Sequence, residues 1–124
     1  MSLSVLVVED SSAMRAFVRG VLEDDDSAQV MEANSGFEAI RLLPRNSFDL
    51  IVVDINMPDI NGLELLSFIR KSEAHAKTPV IVISTEASDK DRQRGLSLGA
   101  NAFLKKPFTA EQLREVVTQI GVGS

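Results

Sequence analysis

The chain contains no cysteine, no tryptophan and no tyrosine, a single histidine, and six phenylalanines as its whole aromatic content. Without cysteine there is no disulfide scaffold, no thiolate metal site and no thiol nucleophile, and the redox compartment is left open. Basic residues are in deficit, 13 against 18 acidic, for a net charge of −5 and a pI near 4.8. That is the wrong sign for gripping a phosphodiester backbone, so no direct nucleic-acid partner is expected. No apolar stretch approaches the roughly 18 residues that span a bilayer, and no charged segment precedes the first strand-like run. A soluble, cytoplasmic protein is expected. What is present is a chain of 124 residues, 44% apolar, enough to bury about two-thirds of its unfolded surface as one domain over residues 1–124 without staples. Residues 1–4 read as a flexible or added end, and 121–124 as an end that packs nothing, which leaves a longer parent chain open.

Apolar runs recur at Val5–Val8, Leu50–Val53, Val80–Ile83 and, more weakly, Ala102–Leu104. Continuous β-branched runs of this length suit strands covered on both faces, as in a parallel sheet. Ala28 to Ala33 fits one further strand. Between the strands the apolar period becomes helical, as in Met14, Phe17, Val18, Val21 and Leu22, and again in Leu113, Val116, Val117 and Ile120. Ser11 or Ser12 can cap the first helix, and Thr109 the last, with Gln112 completing a capping box. Helices are predicted over Ser35 to Leu43, stopped by Pro44, and over Gly62 to Ser72. Another, near Asp89 to Leu98, is so poor in apolar residues that it reads as mostly solvated. Strand then helix, five times, predicts a doubly wound (βα)5 flavodoxin-like three-layer sandwich around a five-stranded parallel sheet. There is no internal repeat or linker. Residues 1–76 carry 6 basic and 13 acidic side chains, net −7, and 77–124 carry 7 and 5, net +2.

Ligands of doubly wound sheets bind beyond the carboxyl ends of the strands, where strand order reverses. There the runs deliver Glu9-Asp10, Asp54, Ser84-Thr85 and Lys105-Lys106. Three carboxylates gathered at one point repel one another unless a cation joins them. Hard oxygens without His or Cys suit Mg²⁺, which keeps several waters and takes few protein ligands. A carboxylate beside Mg²⁺ is also able to attack phosphorus and form an acyl phosphate, a transfer that needs chiefly positioning and charge neutralisation. Asp54, at the end of the most central run, is the candidate nucleophile. Lys106 supplies positive charge, and the Ser84 hydroxyl is placed to bond a phosphoryl oxygen. His75, the lone histidine, reads as a surface residue, and Met14 and Met57 as packing residues.

The stretches Val7-Val8-Glu9-Asp10-Ser11-Ser12-Ala13-Met14-Arg15, Val53-Asp54-Ile55-Asn56-Met57-Pro58 with Asn61-Gly62-Leu63-Glu64-Leu65-Leu66, Val82-Ile83-Ser84-Thr85-Glu86-Ala87, and Gly99-Ala100 through Lys106-Pro107-Phe108 together resemble the receiver domain of two-component response regulators, nearest its single-domain, CheY-like chemotaxis branch. The resemblance spans essentially the whole chain. It implies that Asp54 is the phosphoacceptor, Asp10 a direct Mg²⁺ ligand, Glu9 a holder of metal-bound water and the Asn56 backbone carbonyl the remaining protein ligand. Ser84 and Lys106 would read the phosphoryl group. The upstream partner would be a histidine kinase or phosphotransfer protein. The downstream one would be a target such as a flagellar motor switch, or a second receiver in a homodimer. Phe103 stands where that branch has tyrosine, so a switch there would rest on packing without a hydroxyl. The resemblance also implies a cis Lys106-Pro107 bond and an output face built from the helix after Ala87, the fifth strand and the last helix.

Rival readings share parts of this pattern. A phosphatase of the haloacid-dehalogenase type places a second Asp two residues after its nucleophile, where this chain has Asn56. A flavin carrier needs a loop that welcomes phosphate, and Glu9-Asp10-Ser11-Ser12 repels it. A pseudo-receiver would not need the intact acid cluster. A receiver cut from a larger regulator, such as a transcription factor, is the alternative within the family, and either way the chain is expected to transfer phosphate only to and from itself.

Overall fold

The structure is a computed structural model of the chain and describes residues 3–24, 28–85 and 89–121. Ten elements alternate as β1 (Leu3–Val8), α1 (Ser12–Leu22), β2 (Ala28–Ala33), α2 (Gly36–Leu42), β3 (Leu50–Asp54), α3 (Gly62–Lys71), β4 (Val80–Ser84), α4 (Asp89–Ser97), β5 (Ala102–Lys105) and α5 (Ala110–Gln119). The strands are all parallel, in the order β2-β1-β3-β4-β5. This is the doubly wound sandwich expected.

The central strands β1, β3 and β4 are buried on both sides because their apolar runs do not alternate with polar residues, whereas edge strand β2 alternates buried and exposed positions. Leu6, Val8, Ile51, Val53, Val80 and Val82 meet Ala39 of α2 and Leu65, Leu66 and Ile69 of α3. Val5, Val7, Leu50, Val52, Ile81 and Ile83 meet Val18 and Val21 of α1 and Leu113 of α5. Each such side chain withdrawn from water contributes roughly 1.5–3 kcal/mol. Helix starts are held as the sequence suggests. Ser11 accepts from the Met14 amide at 3.3 Å, Asn61 from that of Leu63 at 2.8 Å, and Thr109 and Gln112 form the full capping box. In α4 the only buried position among those described from 90 to 97 is Gly95, consistent with a mostly solvated helix.

Several boundaries move. Ser35 is the cap of α2 and not its first residue, and Leu43–Arg45 continue as a short 3₁₀ turn in which Pro44 occupies an early position that needs no amide donor. Helix α3 ends at Lys71 with Ser72 as its cap, and α4 ends at Ser97. Leu3 and Ser4 are not an unpacked end. They pair with Ala28 and Gln29, and the Ser4 amide donates to Asp49 at 2.8 Å. Residues 122–124 of the expected loose tail, and Ala87 ahead of α4, lie outside the described residues.

His75 departs furthest from expectation. It is 1% exposed, its ring lies 5.7 Å from that of Phe48, and neither ring nitrogen has a hydrogen-bond partner among the described residues. The polar run around it suggested a surface turn, but the chain between α3 and β4 folds this side chain inward. Burial lowers its pKa from the ordinary 6.5. The unfolded chain therefore binds the proton more tightly, so stability is fully present above pH 6.5 and is lost as the pH falls from there through the lowered folded value. Thermal unfolding followed from neutral to acid pH will show this loss in the wild type, and His75→Leu will flatten that part of the profile.

Candidate functional site

Strand order reverses between β1 and β3, whose chains leave the sheet in opposite directions, and a crevice opens beyond their carboxyl ends. Glu9 follows β1, Asp54 closes β3, Ser84 closes β4 and Lys106 follows β5. Glu9, Asp54 and Ser84 are 0%, 2% and 1% exposed, whereas Asp10 is open to solvent. Carboxylate oxygens of Glu9, Asp10 and Asp54 lie within 4.8 Å of one another. The Lys106 ammonium reaches into this group, 2.5 Å from Glu9 Oε1 and 3.3 Å from Asp54 Oδ2. Lys105, exposed, does not join it. The Lys106-Pro107 bond is cis, as expected.

The loop after β3 is fixed by its own amides. Ile55 donates to Ile83 at 3.0 Å, Asn56 to Asp54 Oδ1 at 3.2 Å, and Gly62 to Ile55 at 2.9 Å. Gly62 is required here. A Cβ at that position would sit 2.3 Å from the Asp54 carbonyl oxygen and 2.7 Å from Ile55 Cα, so only glycine lets α3 start this close to the end of β3. The Asn56 carboxamide donates to Ser84 Oγ at 3.3 Å and Thr85 Oγ1 at 3.4 Å, tying the ends of β3 and β4 together. Neither the Gly62 approach nor the Asn56 side-chain role is visible from the motif alone, which carries no distances.

One ammonium does not balance three carboxylates. A hydrogen bond with the Glu9 side chain, then burial, then the Glu9 charge raise the pKa of Asp10, while its own backbone amide and, less, the Lys106 charge partly offset them. At Lys106 burial works against the ammonium, yet its bonds to Glu9 and Asp54 outweigh that cost and hold it protonated above its ordinary range. Three hard oxygen donors in excess of positive charge, with one of them open to water, fit a divalent cation of the Mg²⁺ type.

Phe103 on β5 is half-buried and packs with the α3 side of the core. Leu63 Cδ2 stands 3.5 Å and the Phe103 ring 3.6 Å from where a Cβ on Gly95 would lie, so α4 rests against both side chains at the one buried position among its described residues from 90 to 97. Met57 packs on the same core and Met14 on the opposite one, as expected of packing residues.

Residues 5–118 match the family of the response regulator receiver domain. The chemotaxis protein CheY-3 of Vibrio cholerae is 35% identical over 119 residues, covering 96% of this chain and 92% of that one. The chemotaxis protein CheY homolog of Campylobacter jejuni is 36% identical over 124 residues, covering 98% and 95%. Among solved structures, the chemotaxis response regulator CheY4 of Vibrio cholerae superposes with a TM-score of 0.90 at 32% identity, over 97% of this chain and 99% of that one. A parallel sheet of this order, an acid cluster at its switch point and these likenesses lead to one assignment: the chain belongs to the response regulator receiver domain family, among its CheY-like chemotaxis members.

Proposed function

We propose that the chain, acting as one receiver domain over residues 1–124, accepts a phosphoryl group on Asp54 with Mg²⁺ present and thereby switches a protein-binding face. The observation that carries this reading is the buried Asp54 carboxylate, held 3.3 Å from the Lys106 ammonium and clustered with two further acids at the switch point of the sheet. Receiver domains of this family are generally non-catalytic signalling proteins, and on this reading the chain transfers phosphate only to and from itself. An Asp54 oxygen forms the new bond to phosphorus. The phosphorus–nitrogen bond to the imidazole of a histidine kinase or phosphotransfer protein breaks, and that imidazole leaves with the electron pair and takes up a proton.

Asp10, Asp54 and the Asn56 backbone carbonyl would hold the cation directly, with Glu9 binding it through water. When bound, the cation neutralises charge on the phosphoryl oxygens. Lys106, 3.3 Å from the Asp54 carboxylate, would face the added oxygens, and Ser84 follows Ile83, the β4 partner of Asp54. A group bearing roughly −1.5 to −2 charges draws both toward it. As Ser84 shifts, the Asn56 bond that holds it at 3.3 Å must lengthen, and the space it leaves is available to the Phe103 ring. Phe103 turning inward removes one of the two side chains, Leu63 being the other, that lie under Gly95, so α4, β5 and α5 form the responsive face. With no hydroxyl to anchor it, Phe103 is held in either position by packing alone. The partner at that face is a flagellar motor switch or similar chemotaxis target, and the compartment is the cytoplasm. Among the described residues no helix is long and apolar enough to cross a membrane.

Incubation with acetyl phosphate and Mg²⁺ will raise the intact mass by one phosphoryl group, and chelation of the metal will prevent it. An unchanged mass with metal present counts against the reading.

A further inference from the structure

Arg15 sits in the first turn of α1, where a cation opposes the helix dipole, and that turn has no acidic residue to offset it. The side chain is only 17% exposed, so its charge must be met by protein groups. It reaches back to the loop before its own helix. Its Nη1 donates to the Glu9 carbonyl at 2.8 Å and to the Asp10 carbonyl at 3.3 Å. Its Nε donates to Glu32 Oε1 on β2 at 3.1 Å. The other Glu32 oxygen takes Arg19 Nη1 at 2.7 Å, and Arg19 Nε reaches Glu23 at 3.0 Å. Those two carbonyls belong to the residues whose carboxylates converge with Asp54. The Glu9 side chain is tied down separately by the Ser11 amide at 3.1 Å and by Lys106, whereas the exposed Asp10 has its backbone gripped by this guanidinium.

We propose that Arg15 is a positioning residue for the divalent cation. By pinning both carbonyls of the Glu9-Asp10 segment it keeps the two carboxylates converged before any cation arrives, so that binding does not have to order the loop. Glu32 cancels the guanidinium charge, which would otherwise repel the cation through a short stretch of protein. The inference rests on the Mg²⁺ reading of the acid cluster. A strut that merely ties α1 to β2 would lower stability without changing the affinity of the folded protein.

Mg²⁺ titration followed by amide NMR on the folded proteins separates these roles. Partners that orient a ligand set are worth about 10–100-fold in metal affinity, so Arg15→Ala is expected to bind Mg²⁺ about tenfold or more weakly. Arg15→Lys, which keeps one charged donor but cannot serve the two carbonyls and Glu32 together, will recover part of this. Glu32→Gln will weaken binding by a smaller factor that fades as salt is added, while the Arg15→Ala loss persists in salt. Affinity in Arg15→Ala within about twofold of wild type, with Asp10→Asn strongly impaired, overturns the positioning role and leaves the cluster reading standing. Unchanged affinity in Asp10→Asn overturns the cluster reading and the role of Arg15 with it.

Discussion

Asp54→Asn will take up phosphate from a phosphorylated histidine kinase at least about a thousandfold more slowly than wild type, with its fold intact. The substitution keeps the side-chain volume and leaves an oxygen to accept the Asn56 amide, now 3.2 Å away. It removes the anionic nucleophile together with one carboxylate of the cation cluster and the charge that faces Lys106 at 3.3 Å. The three carboxylates repel one another, so the variant's stability is expected to equal or exceed that of the wild type. Loss of labelling at unchanged or raised Tm distinguishes chemistry from misfolding. Phosphotransfer to Asp54→Asn at the wild-type rate would show that another residue is the acceptor.

Arg70→Ala will cost about 3 kcal/mol of folding stability, on the order of 10 °C in Tm for a domain of this size. From α3 the guanidinium donates to the carbonyl of Thr78 at 2.7 Å, to those of His75 and Gly99, and to Asn101 Oδ1 at 3.0 Å. It thus joins the loop before β4 to the loop before β5. Gly99, at φ 103°, leaves room for it, since a Cβ there would lie 2.8 Å from Arg70 Nε. Burial lowers the guanidinium pKa, but these carbonyl partners keep the charge acceptable. Removing it strands several acceptors in partly buried positions, and lysine cannot replace a fork that serves two loops. Thermal or urea unfolding of Arg70→Ala, compared with Arg70→Lys, measures this. A loss below about half a kcal/mol in both would show that the loops are held by their backbone alone.

Much of this was legible in the residues because the physics involved is short-range and periodic. Unbroken runs such as Val80–Ile83 are legible as strands covered on both faces, and the helical repeat of Met14, Val18 and Val21 as a helix with one inward stripe, although Phe17 of the same repeat lies 39% exposed. Since each run ends in a polar residue, the convergence of Glu9, Asp54, Ser84 and Lys106 follows from the strand–helix alternation. The contributions of Arg15, Arg70 and Gly62 were not legible, because each acts on backbone groups distant in sequence or across a turn. A helical pattern shows that Arg70 follows Ile69 and not that Gly99 waits beside it. His75 misled for a related reason: its neighbours Glu73 and Lys77 are exposed-type residues, and the ring it packs against, Phe48, is far away in the chain. The first residues misled in the opposite direction, since Leu3 and Ser4 are recruited by edge strand β2, whose pairing a short terminal segment does not reveal.

The most direct measurement of the central claim is the position of the phosphate itself. An acyl phosphate is reduced by borohydride to the alcohol, so an aspartyl phosphate is converted to homoserine at the residue that carried it. After labelling with acetyl phosphate and Mg²⁺, reduction and peptide mass spectrometry will place homoserine at position 54. Homoserine at position 10, phosphate recovered intact on Ser84 or His75, or no label at any position would contradict the account.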